Sequence, residues 1–345
     1  MDLLTRDQDQ MRLKRDVRVA LDAMGGDRGV EVTVPGALRA LEADERLSVV
    51  LAGDEGQIKA ALHAEQPSDA VAARLAVAGS EGVVGDHERV LDVLNAKPNA
   101  SIFTAMKRVA DGEADALLSV GPTSATFVAA QLGYGTLEGI ERGTIGGFVS
   151  GTDSNTLLMD VGAMVDVQPR HFIKMATLGT ATLHSLTGAE RPRVAVLNIG
   201  VESNKGNQQT KEVVKLLADS QLNFIGSIEP YGLLSGEADL VMCDGFVGNM
   251  VLKLVEGLGE LVSTWLRREG DGDQRLLDLA TRLYRALNSN RHYYGCTPIL
   301  GVDGVATIGH GASTIPNITS AIRFTARLVE FEIVNFQRRA LARLL

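Results

Sequence analysis

The sequence predicts an α/β protein with a mostly parallel sheet and helices on both of its faces. Three observations support this prediction. Short apolar segments alternate with longer amphipathic segments, which is the order of βαβ units. Most of the apolar segments end in a polar turn that contains glycine, as strands do at the ligand-binding edge of such sheets. Aromatic residues make up only 4% of the chain, and the abundant small apolar residues suit close packing of helices on a sheet.

The first half of the chain contains four predicted strands, at residues 17–21, 47–52, 73–78 and 116–120. Helices are predicted at 30–43 and 100–111, and another begins after Asp54. This aspartate is a suitable N-cap, and Gln57 is its capping-box partner three residues on. Residues 79–99 are polar and are predicted to form turns. The segment 121–125, which reads GPTSA, opens a further helix.

The second half contains five predicted strands, at 156–159, 193–198, 223–226, 239–242 and 305–308. Its predicted helices span 169–187, a segment ending near 218, 249–267, 275–288 and 312–341. We expect one large domain over residues 17–345, with a helical excursion at about 249–290. Residues 1–16 form a charged leader that could lack a fixed structure, and they have no apolar core typical of a secretory signal.

Composition excludes several classes of protein. The 345 residues carry a formal net charge of −9, which argues against nucleic-acid binding because a phosphate backbone requires a basic face. No run of 18 apolar residues predicts a transmembrane helix. The two cysteines, Cys243 and Cys296, fit neither a metal-binding spacing nor a disulfide framework. We therefore expect a cytoplasmic protein.

Polar turns follow six of the predicted strands, at 22–27, 121–125, 160–163, 198–207, 244–249 and 309–313. Because the carboxyl ends of parallel strands meet at one edge of a sheet, we expect all six turns to converge there. The free N–H groups of the helices that follow favour an anion such as phosphate. The candidate phosphate- and substrate-binding residues are Asp22, Gly25, Gly26, Thr123, Ser124, Asp160, Asn198, Asn207, Asp244, Gly248, His310 and Ser313.

Three polar residues admit two interpretations each. Lys205 precedes a helix start and could hold phosphate or a developing oxyanion, or it could be a solvated loop lysine. His310 could donate to phosphate, or it could cap and pack a helix. Asn249 ends the turn that Asp244 begins, and this turn could hold an anion and touch a carbonyl group or be a plain connection.

Several rival chemistries lack their motifs. The chain has no GxGxxG and no GxxxxGK[ST], so dinucleotide or ATP use has little support. It has no GxSxG nucleophile elbow. Its six histidines lack HExxH or other close pairing. We therefore predict neither a cofactor nor a metal.

Seven blocks of this sequence resemble the bacterial phosphate acyltransferase family of phospholipid synthesis. They occur in the family's order from about residue 17 to 325, and the combination of NIG–KGN with CDGFVGN is specific. The blocks are ALDAMGGD (20–27), VPGAL (34–38), LLMDVGAMVD (157–166), VAVLNIGVESNKGN (194–207), LNFIGSIE (222–229), GEADLVMCDGFVGN (236–249) and ILGVDGV (299–305).

The resemblance implies transfer of a fatty acyl group from acyl carrier protein to inorganic phosphate, which gives acyl phosphate. It implies a Rossmann-like sheet akin to phosphotransacetylase and isocitrate dehydrogenase, a homodimer, and peripheral association with the membrane. The family's catalytic lysine and asparagine match Lys205 and Asn249. Phosphate is itself a competent nucleophile, so the expected tasks are to hold it beside a thioester and to stabilise the oxyanion.

Four blocks depart from the family pattern. The family's GNTGA is GPTSA at 121–125, its HGSSD is HGAST at 310–314, its Arg-Pro is Arg142-Gly143, and its YGGAP is YGCTP at 294–298. A basic loop is reduced to Lys97, which weakens the case for docking an acidic carrier. Two alternatives therefore stay open: a phosphotransacetylase-like enzyme that uses short acyl-CoA, and a catalytically silent paralogue that binds acyl thioester or phosphate.

Overall fold

The computed structural model describes residues 13–85, 87–151, 155–202 and 204–344. Eleven strands of this described chain form one sheet in the order β3-β2-β1-β4-β11-β10-β5-β6-β9-β7-β8. The strands are β1 Val17–Asp22, β2 Leu47–Gly53, β3 Leu75–Gly79, β4 Ala116–Ser119, β5 Thr144–Ser150, β6 Asn155–Met159, β7 Val194–Leu197, β8 Phe224–Ile228, β9 Leu240–Met242, β10 Cys296–Leu300 and β11 Val305–Gly309.

Helices cover both faces of this sheet, so the predicted fold class is confirmed. In the described residues they are α1 Val30–Ala43, α2 Glu55–Glu65, α3 Asp69–Ala72, α4 Val90–Ala96, α5 Ser101–Ala110, α6 Thr123–Tyr134, α7 Pro169–Thr187, α8 Gln208–Ala218, α9 Pro230–Ser235, α10 Gly245–Glu269, α11 Gln274–Leu287, α12 Ile315–Glu330 and α13 Ile333–Ala342. A π-helical turn, Asn290–Tyr294, connects α11 to β10. Across the described chain, no helix combines enough length with enough apolarity to span a bilayer.

Two strands in the middle of the sheet, β5 and β10, are absent from the sequence prediction. They are antiparallel to their neighbours: β10 pairs with β11 and with β5, and β5 pairs with β6. The predicted strands are otherwise present within a few residues of their expected bounds.

These antiparallel strands reverse the direction of the sheet. We call β1, β2, β3, β4 and β11 the first half-sheet, and β6, β7, β8 and β9 the second. Strands are parallel within each half-sheet. Three successive antiparallel pairings separate β11 from β6, so the two half-sheets run in opposite directions. The expectation that all six polar turns converge on one edge is therefore wrong.

Three helical predictions also need correction. The segment 79–99, predicted as turns, contains α4. Helix α10 begins at Gly245, four residues before the predicted start. The predicted single helix at 312–341 is two helices, because Glu332 adopts a left-handed conformation with φ of 53° between α12 and α13.

Leu13, from the predicted leader, is tied to the residue that follows α1. Leu13 is buried, and its N–H donates to Asp44 Oδ2 over 2.7 Å. Residues 1–12 of that leader lie outside the described residues. Asp54 caps α2 as predicted, because its carboxylate accepts the Gln57 N–H.

Candidate active site

A small cleft lies between the two half-sheets. After Ile145, β5 leaves β10 and pairs with β6 instead. The resulting cleft has a volume of about 130 Å³ and collects side chains from both half-sheets. We call it the central cleft. Its lining includes Thr123, Asn249, Lys253, Glu256, Asn290, Arg291, Cys296, Thr297 and His310.

Helix α10 forms one wall of the central cleft. Asp244 caps the helix, because its Oδ1 accepts the Val247 N–H at 2.8 Å. This places Asn249 and Lys253, one turn apart, in the cleft lining. The Lys253 ammonium pairs with Glu256 Oε2 at 2.8 Å. The sequence analysis missed Lys253, although its i, i+4 spacing from Asn249 on a predicted helix was a usable signal.

Gly248 allows α10 to approach the turn that follows β6. A Cβ at this position would lie 1.9 Å from the carbonyl oxygen of Asp160. Gly162, in the same turn, lies against Asn249, since a Cβ on that glycine would be 3.8 Å from the asparagine Cβ. Gly248 thus positions the helix that carries Asn249.

Asp160 is fully buried and its carboxylate is occupied by main-chain donors. Its oxygens accept the N–H groups of Gly162, Ala163 and Met164 at 2.7–3.1 Å, and a longer bond of 3.3 Å comes from Ile145. Burial raises the pKa of Asp160, and these hydrogen bonds oppose the rise. The geometry makes Asp160 the organiser of the turn and does not expose its carboxylate to a ligand.

The turns after β1, β4 and β11 meet on the opposite wall. The Asp27 N–H donates to the Gly311 carbonyl at 2.9 Å. A Cβ on Gly25 would lie 2.7 Å from the Gly121 nitrogen, and one on Gly26 would lie 2.8 Å from Gly311 O. These two predicted phosphate-binding glycines thus let three turns pack together.

Asp22, at the end of β1, is buried beneath these turns. Its carboxylate accepts the Ser119 hydroxyl at 2.8 Å and the Met24 N–H at 3.3 Å. Burial raises the pKa of Asp22. Thr123 and Ser124 are exposed at the start of α6, and Thr123 reaches the cleft.

His310 lies at the cleft on the carboxyl end of β11. Its Nδ1 accepts the Ala312 N–H at 3.0 Å, so Nε2 carries the proton in the neutral ring. Burial lowers the pKa of His310, and the charges of Lys253 and Arg291 lower it further. The nearby Ser313 is buried, and its hydroxyl has no hydrogen-bond partner among the described residues.

The described residues of the loop after β7 do not line the central cleft. Asn198 is buried and donates to Ser227 Oγ at 3.2 Å and to the Lys205 carbonyl at 3.4 Å. Asn207 caps α8 by accepting the Thr210 N–H. Lys205 is exposed. Since β7 pairs with β9, Lys205 and Asn249 follow the carboxyl ends of adjacent strands.

Arg291 is a second cleft residue that sequence analysis missed. It lies in the π-helical turn, in a segment predicted only as a glycine-rich loop. No motif or spacing in the sequence indicated it. Among the described residues, no cluster of three or more histidine, cysteine, aspartate or glutamate side chains is arranged for a metal ion.

The fold and the cleft define a class of α/β protein in which two opposed half-sheets enclose a small site bearing cations and amide donors. Such a site suits an anion and the few atoms that react with it, because pockets for whole drug-sized ligands are usually about 300–1,000 Å³. The family model described as "Fatty acid synthesis protein" matches residues 17–335. The chain belongs to this family, together with curated phosphate acyltransferases.

Two such relatives show the extent of the similarity. The phosphate acyltransferase of Syntrophotalea carbinolica is 38% identical over 322 residues, which cover 91% of each chain. That of a Cyanothece species is 38% identical over 326 residues, covering 92% of this chain and 93% of the relative.

Solved structures of lower identity share the fold. A phosphotransacetylase from Streptococcus pyogenes matches with a TM-score of 0.63 and 14% identity, over 94% of this chain and 97% of the other. The EutD phosphotransacetylase from Staphylococcus aureus matches with a TM-score of 0.61 and 14% identity, over 95% and 98%. The predicted likeness to the phosphotransacetylase fold is therefore confirmed.

Proposed function

We propose that this chain transfers a fatty acyl group from acyl carrier protein to inorganic phosphate, and so forms acyl phosphate for phospholipid synthesis. The observation that carries the proposal is the central cleft, where Asn249 and Lys253 on α10 line the same space as His310 and Arg291 on the other wall. Membership of the family that includes phosphate acyltransferases supports the choice of reaction.

The proposed reaction needs no enzyme nucleophile. A phosphate oxygen attacks the thioester carbon, the carbonyl electrons move onto oxygen, and the tetrahedral intermediate expels the thiolate, which then takes up a proton. The protein must hold the dianion close to the carbonyl and stabilise the oxyanion. Asn249 supplies an amide donor for the thioester oxygen or for phosphate, and the start of α6 supplies backbone N–H groups.

Lys205 is retained in this proposal as a second catalytic residue. Its loop follows β7, and β7 is paired with β9, which leads into the helix of Asn249. The exposed ammonium is free to approach bound substrate from this side, where it would reduce the repulsion between phosphate and the developing oxyanion.

The test is thiol release from a long-chain acyl carrier protein, measured with and without phosphate. We expect phosphate-dependent release, and at least a 100-fold lower turnover in Lys205→Ala and Asn249→Ala with unchanged melting temperatures. Lys211→Ala, in the exposed first turns of α8, is the matched control for loss of a lysine. Carrier binding without thiol release would instead favour a silent binding protein.

A second candidate function is transfer of a short acyl group from acyl-CoA to inorganic phosphate, which releases CoA. The fold shared with phosphotransacetylases favours it. A chain-length series of acyl-carrier-protein and acyl-CoA thioesters separates the two candidates. Our proposal requires the larger kcat/KM for long-chain acyl carrier protein.

We also propose that the chain forms a homodimer through α10. Large apolar side chains repeat every three or four residues on its exposed side, and Leu261 and Trp265 are 64% and 60% exposed. Such a stripe is typical of a helix that packs against a partner. The stripe comprises Phe246, Val247, Met250, Leu254, Leu258, Leu261 and Trp265. In gel filtration with light scattering, Leu261→Glu should be monomeric, whereas the exposed neighbour variant Glu260→Gln should remain dimeric.

Finally, we propose a cytoplasmic location with weak peripheral attachment to the membrane. Helix α11 supports the attachment, because it presents Leu279 and several arginines on a largely exposed surface. Co-flotation with anionic vesicles tests it, and absence of co-flotation would remove the membrane claim.

A further inference from the structure

We propose that Arg291 binds the substrate phosphate in the central cleft and determines the affinity for it. This inference rests on the proposed function, since it assigns the cation for the phosphate of that reaction. It follows from how the arginine is held and from the absence of a neutralising partner in the described part of the chain.

The backbone of Arg291 is fixed by bonds to two separate elements. The preceding Asn290 exchanges two hydrogen bonds with the main chain of Phe148 in β5, at 2.8 and 2.7 Å. Asn317, in the capping box of α12, donates to the Arg291 carbonyl at 2.7 Å. π-Helical turns are often found at functional sites. The hydrogen bonds of this turn hold it against both β5 and α12, the helix that follows β11.

The guanidinium of Arg291 is only partly satisfied. Its Nη2 donates to the Ala312 carbonyl at 2.6 Å. Its Nε is buried and has no hydrogen-bond partner among the described residues. Within that part of the chain, no carboxylate forms an ion pair with it. A partly buried guanidinium in this state favours an anionic ligand, because an uncompensated charge is costly away from water.

The other ionisable groups of the cleft do not offer the same charge. Lys253 is already paired with Glu256. Burial and the two neighbouring cations lower the pKa of His310, so its ring is neutral at pH 7. Burial lowers the pKa of His292, next to the arginine, to about 4. Arg291 is therefore the cleft-lining cation of the described chain that lacks an acidic partner.

A planar guanidinium matches phosphate geometry, because two of its N–H groups can bond two phosphate oxygens at once. The bond to Ala312 fixes the plane of the group beside the turn of His310. Phosphate bound there would face Asn249 across the cleft, which places the nucleophile between the two walls.

The experiment uses Arg291→Gln and Arg291→Lys in the full chain. The charge-matched control is Arg285→Gln, on the exposed side of α11 and outside the cleft lining. We expect Arg291→Gln to raise the KM for phosphate by about 10- to 150-fold, the range for loss of a charged hydrogen bond. The KM for the acyl donor should change less than twofold. Arg291→Lys should recover part of the loss, and the control should match the wild type.

A merely structural arginine would give a different result. It would lower the melting temperature without phosphate and change both KM values or neither. That outcome, or an unchanged KM for phosphate in Arg291→Gln, would overturn the inference.

A second measurement separates this inference from the proposed function. The rise in melting temperature on adding inorganic phosphate, at ionic strength matched with chloride, reports binding without turnover. If the wild type binds phosphate through Arg291 but releases no thiol, the proposed function fails and the phosphate site stands. If thiol release depends on phosphate but the thermal shift is the same in Arg291→Gln, the inference fails alone.

Discussion

Gly248→Ala should destabilise the protein sharply, because the added methyl group meets main-chain atoms. The new Cβ would lie 1.9 Å from the Asp160 carbonyl oxygen and 2.9 Å from Cys243 Sγ. Relief requires the start of α10 and the turn after β6 to separate by roughly 1 Å, in an interior packed at crystal density. We expect a loss of about 3 kcal/mol or more in the free energy of unfolding, and a melting temperature lower by about 6 °C or more.

The assay is thermal unfolding followed by circular dichroism, together with thiol release. Gly257→Ala is the matched control in the same helix, since a Cβ there has no atom within 4 Å. It should stabilise by about 0.5–1 kcal/mol, because alanine exceeds glycine in helix propensity. Gly248→Ala should also lose turnover, because it displaces Asn249. A Gly248→Ala protein that melts with the wild type would refute the reasoning.

Two further predictions concern His292, which is half-buried, and Asp160, which is buried. In the wild type, the unfolded chain protonates the His292 ring near its ordinary pKa, whereas the folded chain protonates it only at a pKa of about 4. Stability therefore falls as the pH drops from 7 to 4.5. His292→Gln should reduce this fall in melting temperature. An unchanged slope of melting temperature against pH in this variant would show that the His292 ring does not cause the loss of stability in acid. Asp160→Asn should lower the free energy of unfolding without phosphate by about 2–4 kcal/mol, and so lower the melting temperature, because an amide nitrogen would face the N–H donors of the turn. The thermal shift on adding phosphate should persist; intact stability with weakened phosphate binding would instead make Asp160 a ligand-binding residue.

The sequence allowed most of the strands and helices to be predicted, because their apolar runs have the expected length and period. β5 and β10 were not predictable in this way. β5 contains Gly146 and Gly147, and β10 contains Pro298, which argues against a central strand. Pro298 has a register partner in β11, Thr307, but none in β5, because only Ile299 and Leu300 of β10 pair with β5.

Missing these two strands had a direct effect on the predicted site. Without β5 and β10, the predicted strands form a single parallel sheet with one ligand-binding edge. With them, the turns that carry Thr123 and His310 lie across a cleft from the helix that carries Asn249. Asn249, Thr123 and His310 were found because they follow predicted strands. Arg291 was not, because a π-helical turn has no local sequence signature.

Among the remaining predicted site residues, the structure distinguishes those that hold a turn or cap a helix from those that face the cleft, and the sequence alone could not make this distinction. An aspartate after a strand can hold a ligand or its own turn. Asp22 and Asp160 are buried on internal partners, whereas Asp244 and Asn207 cap helices. Only the three-dimensional contacts distinguish these uses of the same residue types.

The two walls of the central cleft differ in how closely they follow the family's sequence pattern. The motifs that depart from the family pattern at 121–125, 294–298 and 310–314 all belong to strands on the side of β4, β10 and β11. The blocks retained at 157–166, 194–207 and 236–249 belong to β6, β7 and β9, and those retained at 20–27 and 299–305 belong to β1 and β10. The departures nearest the central cleft therefore lie on the wall that carries Thr123, Arg291 and His310, whereas the wall that carries Asn249 keeps its family-like blocks.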